Sequence, residues 1–294
     1  MRQEVRWERM FPDELEAACD EFPVVYLPYG LCEPHGPHNA LGMDALRAHS
    51  ACCVAAAKYG GIVAPAQFWN IREIGGYGSW SVGRIGNQRP WLTALPPWMF
   101  FKNMLYHIRT MDMLELKGAI IFTGHSGPHA KDMQRYLDLV QTHVSVRLAF
   151  FIGAGVEEDH FGDGLGSGGH AGRGETSLLW ATDPDCVDLS RLPAEDSDGP
   201  RFALGELNEK SSRRAGELAV ADLAASLGAK GKELVEAFAP QTGGSGPLTF
   251  AELEQIWDAE FVPEISQYAC MQPEGPEPPA DSRWRTNWAI PTLG

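Results

Sequence analysis

"PVVYLPYGLCEPHGPHNALGMDAL", residues 23–46, runs from an apolar, β-branched and aromatic segment through a turn dense with Gly and Pro into the start of an Ala-rich stretch. The segment 23–30 reads as a buried strand of the parallel type, ended by Gly30. Beyond it, Glu33, His35 and Asp44 stand where the chain leaves that strand. In open α/β sheets ligands collect in the crevice beyond the carboxyl ends of the strands, so this cluster lies where chemistry is expected.

Working outward, a helix is expected from near Gly42 to the glycine pair Gly60 and Gly61. A second strand, "GIVAPAQFW" (61–69), leads into an aromatic and glycine-rich loop with Arg72, Tyr77, Trp80 and Arg84. Helix 96–114, strand 117–124, helix 129–145 and strand 146–155 follow, and this alternation predicts a mostly parallel sheet with helices on both faces. After residue 180 come a polar connection and helical segments near 209–238 and 250–260, the latter opened by a capping box of Thr249 and Glu252. Residues 271–294 are too rich in Pro for regular structure, and their Trp284, Trp288 and Ile290 suit docking on a surface. The expected organisation is one α/β domain over 1–294, with 182–294 a helical and Pro-rich C-terminal extension of it.

Composition narrows the function. Charged residues make up 21% and hydrophobic ones 44% of the 294, as in ordinary globular proteins. A formal net charge of −15 argues against a surface built for nucleic-acid phosphates and leaves a small molecule as the expected partner. The N-terminal segment has no continuous apolar run, so no signal peptide or membrane anchor is indicated and a cytoplasmic location is expected. The six cysteines form no CxxC pair and are read as reduced thiols with packing roles.

Polar groups gather at three further strand ends: His125 in "FTGHSG", His170 and Glu175 in "GGHAGRGETS", and the loop that begins at Trp69. Taken singly, each has an ordinary explanation. Glu33 can cap its own turn, Asp44 suits the first turn of a helix, and Glu175 can sit on a solvated face. Two His and three carboxylates from separate strand ends nevertheless match the donor set of a divalent-metal site, holding one ion or two bridged by a carboxylate. His38 is expected to face solvent or substrate, while His49, His107, His143 and His160 are read as structural or exposed.

Together "EPHGPHNALGMD" (33–44), the strand-ending Gly-His of "FTGHSG" and "HAGRGETS" (170–177) resemble the motifs of the creatininase family of metal-dependent amidohydrolases. The resemblance implies a layered α-β-α fold and a homo-oligomer, in relatives usually a hexamer. It further implies Glu33, His35, Asp44, His125 and Glu175 as metal ligands, with Asp44 as bridge, and His170 as the catalytic proton-transfer residue. The implied cofactor is Zn, Mn or Fe, one or two per chain.

A divalent ion lowers the pKa of its water towards roughly 7, and the resulting hydroxide could attack an amide carbonyl while His170 passes a proton to the leaving nitrogen. The expected activity is therefore hydrolysis of a carbon–nitrogen bond other than a peptide bond, in a small cyclic amide. The alternatives are ring-opening carbon–carbon hydrolysis of a keto-inositol or keto-sugar, and a non-catalytic metal-binding relative. Trp69, Tyr77, Trp80 and Ser126 are the expected substrate contacts. Creatininase has Tyr and Glu where this chain has Ser126 and Gly127, and Asp where it has Ser167, differences that point away from creatinine itself.

Overall fold

In the computed structural model, the described residues are 4–71, 93–152, 157–194, 202–239, 247–271 and 280–281. The loop residues Arg72, Tyr77, Trp80 and Arg84 and the tail with Trp284, Trp288 and Ile290 lie outside them.

Four parallel strands form one sheet in the order β2-β1-β3-β4: β1 is Val24–Tyr29, β2 Ile62–Val63, β3 Gly118–Thr123 and β4 Arg147–Ile152. Every residue of β1 and β3 is buried, the pattern of a strand covered on both faces. Because successive side chains alternate across a strand, the two faces are built from different residues. Val25, Leu27, Tyr29, Ala119 and Ile121 join one core with α3 (Pro97–Met113) and α4 (Ala130–Gln141). Val24, Tyr26, Ile120 and Phe122 join the other with α2 (Met43–Tyr59) and the long α7 (Arg213–Glu236). Three layers, α-β-α, result. Helix α1 (Pro12–Glu21) also contributes to the first core through Ala18.

Helix α2 runs between Gly42 and Gly60 as its glycines predict, and presents Ala48, Ala51, Ala55 and Ala56 to the sheet. The second strand is shorter than the expected 61–69. Pro65 has no N–H to give a ladder, so the regular pairing stops after the Ala64 N–H bonds the Tyr26 carbonyl, and the chain touches β1 again at an isolated bridge between Tyr29 and Gln67. The last helical region is longer than expected. Helix α8 (Phe250–Ile256) has its capping box, widens into a π-turn over Trp257–Phe261 and continues as α9 (Val262–Ile265). The wide turn lies just before Pro263, whose ring would clash with the carbonyl four residues earlier in a regular helix. Between β4 and α7 lie the short α5 (Glu158–Phe161) and α6 (Arg173–Thr182). No helix among the described residues is long and apolar enough to cross a membrane.

Strands β1 and β3 end in register, Tyr29 opposite Thr123, and each is followed by a glycine. Both glycines are needed for close approach. A Cβ on Gly30 would lie 2.1 Å from the Ala45 nitrogen, and one on Gly124 would lie 2.1 Å from the Asp44 carbonyl oxygen. The first turn of α2 therefore rests directly on the two strand ends.

Candidate functional site

Above those strand ends, side chains from three loops and two helices converge. Glu33 and His35 come from the loop after β1, Asp44 from the first turn of α2, His125 from the turn after β3, His170 from the segment before α6, and Glu175 from the first turn of α6. His35 Nε2 lies 3.3 Å from Asp44 Oδ1, 3.6 Å from Glu175 Oε2 and 3.9 Å from Glu33 Oε1. His125 Nδ1 lies 3.0 Å from Glu33 Oε1 and 3.2 Å from Asp44 Oδ2. Three groups bring donor atoms within 4.8 Å of one another: Glu33–Asp44–His125, His35–Asp44–Glu175 and Glu33–His35–His170. The first two share Asp44, one oxygen of which faces each imidazole.

Local bonds aim these donors. His35 Nδ1 is 3.1 Å from the Glu33 carbonyl oxygen, which can only accept, so the ring hydrogen sits on Nδ1 and Nε2 is left facing the carboxylates. That Nε2 is buried without a hydrogen-bond partner. An imidazole that gives one N–H to a backbone carbonyl and turns its other nitrogen to a carboxylate cluster is arranged as metal-binding histidines usually are. The Ala171 N–H donates to Glu175 Oε2 at 2.6 Å, and the Thr123 hydroxyl reaches the His125 carbonyl at 2.8 Å, fixing the turn that carries that ring.

The electrostatics lead to the same arrangement. Burial opposes charge on His35 and His125, but the Asp44 and Glu175 carboxylates push His35 up to about 9, and Glu33 and Asp44 raise His125 well above the usual imidazole range. Conversely, burial would raise Asp44 and Glu33, yet His35 and His125 hold Asp44 well below the usual carboxylate range and His125 lowers Glu33. Metal-free, the cluster gathers protons to offset three carboxylates. A divalent cation would supply the same compensation, with neutral imidazoles as ligands, so the donor set fits such an ion.

His170 lies at the open side of the cluster. Its side chain is 23% exposed while His35 is fully buried, and the two rings are 4.5 Å apart between centroids. Nε2 donates to the Pro34 carbonyl at 2.9 Å, so Nδ1 is the nitrogen that faces Glu33 Oε1, at 4.0 Å. Ser126 is exposed, next to His125, and Trp69 is 55% exposed beyond Gln67, whose carbonyl accepts the Gly30 N–H. Tyr77 and Trp80 lie outside the described residues.

Two features of the site are not anticipated from sequence. His38 does not face solvent or substrate. It is buried, with Nε2 2.8 Å from the Thr176 hydroxyl and 3.1 Å from Asn208 Oδ1. Asn39 joins it, donating to the His35 carbonyl at 3.1 Å and the Thr176 hydroxyl at 3.0 Å. This network ties the loop of Glu33 and His35 to the helix of Glu175. The second feature is Arg47, buried beside Asp44 and Glu175. Its spacing of three from Asp44 puts both on one helix face, and that spacing was the available signal. Of the other histidines, His107 pairs with the Tyr29 hydroxyl, His143 with Glu260 and His160 with Asp222, all structural contacts.

A layered α/β fold with imidazole–carboxylate cages at the carboxyl ends of its strands is the architecture of a metal-dependent hydrolase. The sequence profile described as "Creatininase: Creatinine amidohydrolase" matches residues 8–243. The chain belongs to the creatininase family, and so to the metal-dependent amidohydrolases. Among solved structures it is similar to creatinine amidohydrolase (creatininase), at 21% identity and a TM-score of 0.58 over 82% of this chain and 100% of that one. It is also similar to a creatininase variant complexed with creatine, at 21% identity and 0.62 over 79% of this chain and 98% of that one. A creatininase described with Mn aligns at 21% identity and 0.59, over 81% of this chain and 100% of that one. At that identity these structures speak for the fold. No curated protein sequence matches the chain.

Proposed function

We propose that this chain hydrolyses the carbon–nitrogen bond of a small, cyclic amide, with Glu33, His35, Asp44, His125 and Glu175 as ligands of Zn, Mn or Fe and His170 as the proton-transfer residue. The observation that carries the reading is the pair of donor groups sharing Asp44, with His170 beside them on the solvent-accessible side. A divalent ion bound there supplies a Lewis acid and an acidified water at neutral pH.

The chain's own residues supply the rest. His170, its Nε2–H committed to the Pro34 carbonyl, turns Nδ1 towards the cluster, where it takes a proton from the attacking water and returns it to the leaving nitrogen. The network of His38, Asn39, Thr176 and Asn208 keeps the two ligand-bearing segments at a fixed separation. Because His35, Asp44 and His125 are buried and Glu33, Glu175 and His170 partly exposed, substrate enters from the side of the latter three. Ser126, next to His125, and the exposed Trp69 are the proposed substrate contacts.

The test is a panel of lactams, cyclic ureides and, as a control, cyclic diketones, assayed with metal-loaded protein in ¹⁸O-labelled water. Label entering a new carboxylate of a ring-opened amide is the expected result. A protein that binds no divalent ion, or that incorporates label into none of the amides, overturns the proposal.

A further inference from the structure

Arg47 breaks the balance between the two donor groups. Its side chain is 4% exposed, Nη2 lies 3.3 Å from Glu175 Oε1 and also donates to the Gly124 carbonyl, and Nε lies 3.9 Å from Asp44 Oδ1. That Nε is buried with no hydrogen-bond partner. A guanidinium keeps its charge in proteins, so against the carboxylates of Glu33, Asp44 and Glu175 it leaves the cage with two net negative charges, not three. One divalent ion matches that charge, and a second would leave a buried excess of positive charge.

The guanidinium is also placed unevenly. It faces both carboxylates of the His35–Asp44–Glu175 group but only the shared Asp44 of the Glu33–Asp44–His125 group. Glu175 is further committed by the Ala171 N–H on its other oxygen. We infer that Arg47 makes the two metal subsites unequal: Glu33, Asp44 and His125 hold one ion tightly, while His35, Asp44 and Glu175 hold a second weakly and exchangeably. This inference rests on the ligand roles proposed above. Cation repulsion and the sharing of Glu175 with two donors both weaken the second subsite, and neither acts on Glu33.

The full chain, stripped by chelator and reloaded with Mn²⁺, is passed through gel filtration, and retained metal is counted while free Mn²⁺ is followed by electron paramagnetic resonance. The wild type is expected to keep one ion and to bind the second at least about tenfold more weakly. Arg47→Leu should keep two ions of similar affinity, and Arg47→Lys, which preserves the charge, should behave as the wild type. Glu175→Gln should abolish the weak ion and spare the tight one. A wild type with two equal ions, an unchanged affinity ratio in Arg47→Leu, or loss of the tight ion in Glu175→Gln would overturn the inference. If Arg47→Leu fails to fold, the wild-type titration and the Glu175→Gln and Arg47→Lys variants decide it. A wild-type chain that retains no metal at either subsite sinks the hydrolase reading itself, a different outcome from two equal sites.

Discussion

His35 gives its Nδ1 hydrogen to the Glu33 carbonyl at 3.1 Å and so turns Nε2 to within 3.3 Å of Asp44 Oδ1. One loop thus delivers both a carboxylate and an oriented imidazole, and Asp44 meets them from the helix packed on the two strand-end glycines. Asp44 is the only member common to the Glu33–Asp44–His125 and His35–Asp44–Glu175 groups. Asp44→Ala is accordingly expected to remove metal from both and to lower kcat/KM at least about 100-fold, since a change even in an outer-shell partner of a metal ligand costs 10–100-fold. Metal analysis and far-ultraviolet circular dichroism are the checks: metal should vanish while the helical signal stays.

His170 should behave differently. It stands at the open edge, and the proposed role is proton transfer, which contributes about 10²–10⁴-fold in rate. His170→Gln is expected to lose turnover by that order while retaining as much metal as the wild type. Equal losses of metal and turnover would make His170 a ligand, which the Glu33–His35–His170 group allows geometrically.

The parts of the site legible in the sequence are those fixed by short-range chemistry. An apolar run ended by Gly30, a helix bounded by Gly42 and Gly60, and a strand-ending Gly124 place Glu33, Asp44 and His125 at one edge because parallel strands must all end there. What the sequence hides depends on contacts between distant segments. The partners of His38, Thr176 and Asn208, lie 138 and 170 residues away, and nothing in "HGPHN" separates a buried, bonded ring from an exposed one. Arg47 escapes notice because an arginine in the second turn of a helix usually reaches solvent, and only the packing of α2 onto the strand ends encloses it. The short β2 has a local origin: Val63 and Tyr26 pair, but Pro65, with no N–H to give, ends what the apolar pattern alone would extend.

Burial lowers His38 from 6.5 to about 4, although its bond to Asn208 works the other way. The folded state therefore keeps this ring neutral where the unfolded chain protonates it. Its contribution is complete above pH 6.5 and is lost progressively as pH falls towards 4, about 3 kcal/mol in all for such a shift. Urea unfolding of the wild type and of His38→Gln at pH 7.5 and pH 4.5 is the measurement. The variant, which cannot take up this proton, should lose less stability on acidification than the wild type, and parallel losses would contradict the assignment.

Arg173 is fully buried and holds the segment that leads into His170. Its guanidinium makes two bonds to Asp163, at 2.6 and 2.9 Å, donates to the Gly166 carbonyl at 2.7 Å and to the Leu165 carbonyl, and lies 3.8 Å from the centre of the Phe161 ring. Asp163 remains partly exposed, so losing its partner strands no buried charge. The cost of Arg173→Met is then chiefly that of the missing bonds, reduced by the water that reaches Asp163. Because those bonds span 163–166, the loosening should be local. Amide hydrogen exchange is expected to quicken in 162–172 and not in β1 or β3, while turnover falls and bound metal stays. Uniformly faster exchange would mean that Arg173 supports the whole fold and has no particular part in holding His170.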